Sequence, residues 1–94
     1  MPYTSQAERN KFRDELDALL AAMGECGCTP GDLNYIISTI GAGYVVAKGL
    51  GYTHLNDVMG VFTGAPLEFY RRVVAPYEDH KRRVNGEIYP NALV

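Results

Sequence analysis

The sequence predicts an all-α protein: a compact bundle of about four helices with a short extended C-terminal tail, in one domain over residues 1–94. Three observations predict it. Apolar residues recur at three- and four-residue spacing along several stretches, the mark of amphipathic helices. Helix-starting and helix-stopping residues fall between those stretches. No stretch shows the sustained apolar–polar alternation of a half-buried strand.

The elements follow in order. Ser5 and Glu8 have the Ser-x-x-Glu spacing of a capping box and start a first helix. Phe12, Leu16, Leu19, Leu20 and Met23 form its apolar stripe, and Gly24 and Gly27 end it, leaving Cys26 and Cys28 in the connector. Thr29-Pro30-Gly31-Asp32 supplies an N-cap, a proline at the first helical position and an acid at the third. The second helix is expected to bury Leu33, Ile36, Ile37, Ile40 and Tyr44 and to stop near Gly49, with Tyr35 also at its core edge. Gly41 and Gly43 inside it each cost about 1 kcal/mol relative to alanine, a cost more easily kept where a backbone or ligand comes close.

A third helix opens at Tyr52 or Thr53 and carries Leu55, Val58, Met59 and Phe62. Its face continues through Phe69, Tyr70, Val73 and Tyr77, but Pro66 removes an amide donor and predicts a kink or break near Gly64-Ala65-Pro66. Pro76 suits the first position of a last short helix. Glu78 and Asp79 fall in its first turn and Lys81, Arg82 and Arg83 in its last, matching the helix dipole. Asn85-Gly86 reads as its C-cap and Glu87-Ile88-Tyr89 as an extended tail.

At 94 residues, 47% hydrophobic and 21% charged, the chain has the composition of a small globular domain. A core of that size gives little stability, so a homo-oligomer is expected. The polar segment from Met1 to Arg13 has no apolar signal region, and the run from Ile36 to Ala47 is too short to span a bilayer. Two cysteines one residue apart fit neither a redox motif nor a secreted framework, so the cytoplasm is the expected compartment, with no membrane partner. The net charge of −2 disfavours duplex nucleic acid. Yet five basic residues lie between Arg71 and Arg83, against only Glu78 and Asp79, and such a patch suits a compact anion.

Cys26, Cys28, His54 and His80 lack the close pairs of a zinc site, so no metal and no cofactor is expected. There is no nucleophile motif, no phosphate-cradling Gly-x-x-x-x-Gly-Lys loop and no acid pair beside an apolar notch, so the chain is read as a binder and not an enzyme. The run Leu67-Glu68-Phe69-Tyr70-Arg71-Arg72 is the most informative. Tyrosine beside arginine suits a phosphate next to a planar base, through forked hydrogen bonds and ring stacking. Tyr70, Arg71 and Arg72 are therefore the principal ligand-binding candidates, with Asn34, Asn56 and Tyr77 supporting them at base edges. The plainer reading makes Glu68 an ordinary helix ion-pair partner of Arg71 and Arg72. On a helix continuous through Pro66, Gly60, Gly64 and Arg71 would share one strip.

Several stretches resemble a family of short proteins encoded by tailed bacteriophages and prophages. They are Gly31-Asp32-Leu33-Asn34-Tyr35-Ile36, Asn56-Asp57-Val58-Met59-Gly60, Leu67-Glu68-Phe69-Tyr70-Arg71-Arg72-Val73-Val74-Ala75-Pro76-Tyr77-Glu78-Asp79, and Asn85-Gly86-Glu87-Ile88-Tyr89. Together they cover about residues 30–89, and Pro66 departs from the longer side chain of the family pattern. The resemblance implies phage origin without implying a mechanism. It fits sequestration of a small phosphate-bearing ligand, such as a cyclic or ADP-ribose-type nucleotide signal of host defence. It fits equally an inhibitor or adaptor that binds a host protein, and it leaves room for a small virion or packaging accessory.

Overall fold

A computed structural model of the chain describes residues 4–93. The protein is all-helical, with no strand among the described residues. Helix α1 spans Gln6–Asn10, α2 Arg13–Cys26, α3 Pro30–Lys48 and α4 Tyr52–Phe69. A π-helical turn, Tyr70–Val74, joins α4 to α5, Ala75–Asn85, and a single 3-10 turn, Asn91–Leu93, lies in the tail. The chain divides into two units, residues 1–55 and 56–94.

In the first unit α1 and α3 start at their caps. Ser5 accepts from the Glu8 amide and opens α1. The helix expected to run unbroken from there is instead divided at Lys11 and Phe12. Their amides bond three residues back, to Glu8 and Arg9, so the turn tightens before α2 restarts. The Lys11–Glu8 ion pair, at 2.6 Å, spans the same tight turn. At its other end α2 runs through Gly24, contrary to expectation, and takes in Cys26. Gly27 alone stops it, at φ 67° and ψ 53°, a left-handed conformation that glycine adopts without a Cβ penalty. The Gly27 and Cys28 amides both return to the Met23 carbonyl.

Thr29 forms a full capping box with Asp32: its hydroxyl accepts from the Asp32 amide at 3.1 Å and its own amide donates to the Asp32 carboxylate at 3.0 Å. Thr29→Ala leaves the Asp32 amide without this acceptor and should destabilise the protein by about 1 kcal/mol, read as a lower melting temperature. Thr29→Ser should retain most of the stability. Helix α3 ends on Gly49, where the sequence places the stop, and His54 Nδ1 lies 2.8 Å from the Gly49 carbonyl across the connection to α4.

In the second unit the helix does not break at Pro66. Proline's fixed φ is compatible with a helix, so α4 continues to Phe69 with one backbone bond missing. Thr63 donates its hydroxyl to the Met59 carbonyl, a local bond that keeps the side chain against the same turn. The irregularity falls later, at Tyr70–Val74, where the Ala75 amide bonds five residues back to Tyr70. Pro76 is the reason: within a regular helix its ring would clash with the Arg72 carbonyl, and a wider turn relieves the clash. Pro76 therefore sits at the second position of α5 in a continuing helix, not at the start of a separate one. Gly86 closes α5 at φ 94°, its amide bonded to the Arg82 carbonyl.

Burial departs most from expectation. Among the described residues no hydrophobic side chain is buried, and Gly41 is the one buried position. Leu33, Ile37, Ile40, Tyr35 and Tyr44, read as core or core edge from their spacing, are exposed; Ile36 is half-buried, as are Leu19 and Met23 on α2. Within the first unit, α2 and α3 do not pack on each other. No helix among the described residues is long and apolar enough to cross a membrane.

Candidate functional site

The π-turn coincides with the Tyr-Arg-Arg run. Its extra residue rotates everything after it by about 100° relative to an uninterrupted α-helix. The eighth residue beyond Tyr70 thereby takes the place that the seventh would hold, on the same face. Glu78 is that residue, and Tyr70 donates its hydroxyl to the Glu78 carboxylate at 3.1 Å.

The arginines are engaged unequally. Arg71 Nη2 contacts both oxygens of Glu68, at 2.9 and 3.0 Å. Arg72 approaches the same carboxylate only to 3.8 Å, beyond hydrogen-bond range, with its side chain 64% exposed. The half-buried Glu68 carboxylate thus stands near both guanidiniums. Such surface pairs add little stability. From spacing alone Glu68 could pair with either arginine; the distances put the tighter pair at Arg71.

Tyr77 lies in the first turn of α5, its exposed ring 5.8 Å from the Lys81 ammonium in a cation–π contact. Asn56 does not join this group. It stands in the second turn of α4, about 20 Å along the helix from Tyr70 at 1.5 Å per residue. Asn34 lies in the first turns of α3, in the unit of residues 1–55. The strip of Gly60 and Gly64 lies on unbroken helix, and a Cβ at Gly60 would meet nothing within 4 Å.

Sequence reasoning missed an open cleft of about 400 Å³ between α5 and the residues that follow it. Glu78, Lys81, Arg82, Glu87, Ile88 and Tyr89 line it. Arg82 reaches Glu87 at 3.6 Å and Asp79 at 3.9 Å, while the Tyr89 amide donates to Glu87 at 2.8 Å, so the tail is tied beside the helix. Because Glu78 both lines the cleft and accepts from Tyr70, the cleft and the π-turn share a wall. The one sequence signal for it was the Asn85-Gly86 stop, which lets the chain turn back.

The hydrogen bond to Glu78 holds the Tyr70 phenol above its ordinary pKa, and the charges of Glu78 and Asp79 and some desolvation act in the same direction. A raised folded value means that the stabilisation is fully present below about pH 10 and is lost as pH rises through the higher value. In an ultraviolet titration one tyrosine should ionise later than the others, and Glu78→Gln should remove that lag. A titration with no late tyrosine in the wild type would show that the bond does not persist in solution.

Partial desolvation likewise pushes the Cys28 thiol above its ordinary value, with the charges of Asp32 and Cys26 adding to it. The thiol form is favoured, which suits a connector residue and not a nucleophile. Among the described residues no three His, Cys, Asp or Glu side chains are grouped so as to hold a metal ion.

Residues 1–88 match a protein family described as a domain of unknown function, DUF6899. None of the curated proteins matches the chain, and no solved structure does.

Proposed function

The chain belongs to the DUF6899 family, and from that premise we propose that it is a non-catalytic, oligomeric binding protein for a small phosphate-bearing ligand. The observation that carries this reading is the π-turn under Tyr70, Arg71 and Arg72. Such turns are rare, they occur often at functional sites, and this one carries Tyr70, Arg71 and Arg72 in succession. A phosphate would take the forked hydrogen bonds of Arg72 and draw Arg71 from Glu68. Tyr70 and Tyr77 would stack on or border a planar base. The resemblance to phage proteins is compatible with a cyclic or ADP-ribose-type nucleotide signal as the ligand, sequestered in the host cytoplasm as a counter-defence, and the Tyr-Arg-Arg run is what favours a phosphate-bearing one.

The test is a thermal-shift panel of cyclic dinucleotides, cyclic trinucleotides and ADP-ribose derivatives against the full chain. A true ligand at a hundred times its Kd should stabilise the fold by about 2.7 kcal/mol. If no member of the panel shifts the wild-type protein, the nucleotide reading fails. The second reading, a protein-binding inhibitor or adaptor of a host protein, draws on the exposed tyrosines Tyr70, Tyr77 and Tyr89 in this unit.

A further inference from the structure

The π-turn that brings Glu78 under Tyr70 sets a second alignment one residue on. Tyr70 meets Glu78 across eight residues, and the same step from Arg71 arrives at Asp79, so these two lie in line along the helix. In an uninterrupted α-helix Asp79 would stand about 80° round the axis from Arg71. With the widened turn between them they are about 10–11 Å apart along the axis, at 1.5 Å per residue. That is comparable with the reach of a nucleotide from its phosphate to the far edge of a purine base. The charge of Asp79 also helps to raise the Tyr70 phenol, as a group on this side of the helix would.

Asp79 lines the cleft between α5 and the tail together with Lys81, Arg82 and Tyr89, and all of these belong to the unit of residues 56–94. Its exposed carboxylate lies 3.9 Å from Arg82, too far for a hydrogen bond. On its other side Arg82 stands 3.6 Å from Glu87, again beyond that range. Among the described residues, then, the Asp79 carboxylate accepts no hydrogen bond and the Arg82 guanidinium donates none. Two acceptor oxygens are open beside a fork of donors.

That pair fits one base edge better than the others. The pairing edge of guanine carries two adjacent donors, N1–H and the N2 amine, beside the acceptor O6. A carboxylate accepts from both donors at once, and a neighbouring guanidinium donates to O6. Adenine and cytosine each set one amine beside a ring-nitrogen acceptor, so one carboxylate oxygen stays unfilled. Uracil has a single donor between two carbonyls and turns one of them against the carboxylate. Tyr89, on the tail wall of the cleft, gives the base a ring to stack on.

We propose that the cleft is the base subsite of the phosphate-bearing ligand and that it takes guanine, with Asp79 as the residue that selects it. The inference rests on the phosphate reading of Tyr70, Arg71 and Arg72 and adds the identity of the base.

Isothermal titration of the full chain with guanosine, inosine and adenosine 5′-monophosphates tests it. Guanosine monophosphate should bind roughly tenfold to a hundredfold tighter than adenosine monophosphate, the worth of a good bidentate base contact. Inosine monophosphate, which lacks the N2 amine, should fall between them. Asp79→Asn replaces one acceptor by a donor and should abolish the guanine preference, with little change in melting temperature because Asp79 is exposed. The same variant should gain affinity for xanthosine monophosphate, whose C2 carbonyl faces the new amide, a gain that loss of structure cannot produce. Arg71→Ala should weaken all three nucleotides by one common factor. Equal binding of the guanosine and adenosine monophosphates, or a guanine preference that survives Asp79→Asn, would overturn the guanine assignment and leave the phosphate reading standing. Failure of all three to bind would overturn the assignment as well, and the phosphate reading falls with it only if the wider nucleotide panel gives no thermal shift.

Discussion

Replacing Arg72 with alanine should weaken nucleotide binding tenfold to a hundredfold and leave the melting temperature almost unchanged. The loss corresponds to about 1.5–3 kcal/mol, the range for hydrogen bonds to a charged group. Stability should move by no more than about 0.5 kcal/mol, because Arg72 is exposed and sits 3.8 Å from Glu68. Arg71→Ala should fall at the lower end of the same range. Arg71 must exchange its two contacts with Glu68 for the ligand, so part of its gain is already spent. Arg→Lys at either position should recover only part of the affinity, since a point charge cannot reproduce a planar fork. Glu68→Gln should tighten binding by removing the competing carboxylate. Isothermal titration with a ligand found in the thermal-shift panel reads all of these. If either alanine variant unfolds the protein, that arginine is a structural tie and the site assignment is wrong.

The two helix prolines should behave in opposite ways. Pro66 lies inside α4, where proline costs about 3 kcal/mol relative to alanine in a helix interior. Pro66→Ala restores an amide donor and should raise stability by about 2 kcal/mol, after allowing for the extra freedom of the unfolded chain. It should leave binding unchanged, because the π-turn lies beyond it. Pro76→Ala should also favour regular helix, but there the gain has a cost at the site. Without the ring the turn at Tyr70–Val74 can close to α-helical register, and Glu78 then rotates away from Tyr70. The late-ionising tyrosine should disappear in Pro76→Ala and persist in Pro66→Ala. Denaturant melts and ultraviolet titrations of both variants separate the two outcomes.

The features legible in the sequence are those fixed by a few neighbouring residues. Thr29 with Asp32, Gly49, and Asn85-Gly86 are local devices, and the structure has each of them where the residue types require it. The breaks at Lys11-Phe12 and at Tyr70–Val74 were not legible, because each is a compromise between competing bonds over a full turn. At Pro66 and Pro76 the rule that proline interrupts a helix was correct in cause but not in position. The ring at position 76 is accommodated by widening the turn before it, and at position 66 by the loss of one bond. Apolar spacing put Leu33, Ile37 and Ile40 in a core, whereas the structure leaves them exposed. Spacing marks an apolar face but says nothing of what packs against it. In the candidate site, adjacency found Tyr70, Arg71 and Arg72, whereas the Tyr70–Glu78 bond depends on a helix register that no pairwise spacing contains.

The connection between α3 and α4 has a property of its own. The Gly49 carbonyl can only accept, so His54 must carry a hydrogen on Nδ1, the atom 2.8 Å away. In the neutral ring this selects the Nδ1–H tautomer and leaves Nε2 as the acceptor. The join between α3 and α4 thus fixes which of two ring nitrogens carries the hydrogen, and nitrogen-15 spectroscopy would show it as a proton-bearing Nδ1 of His54.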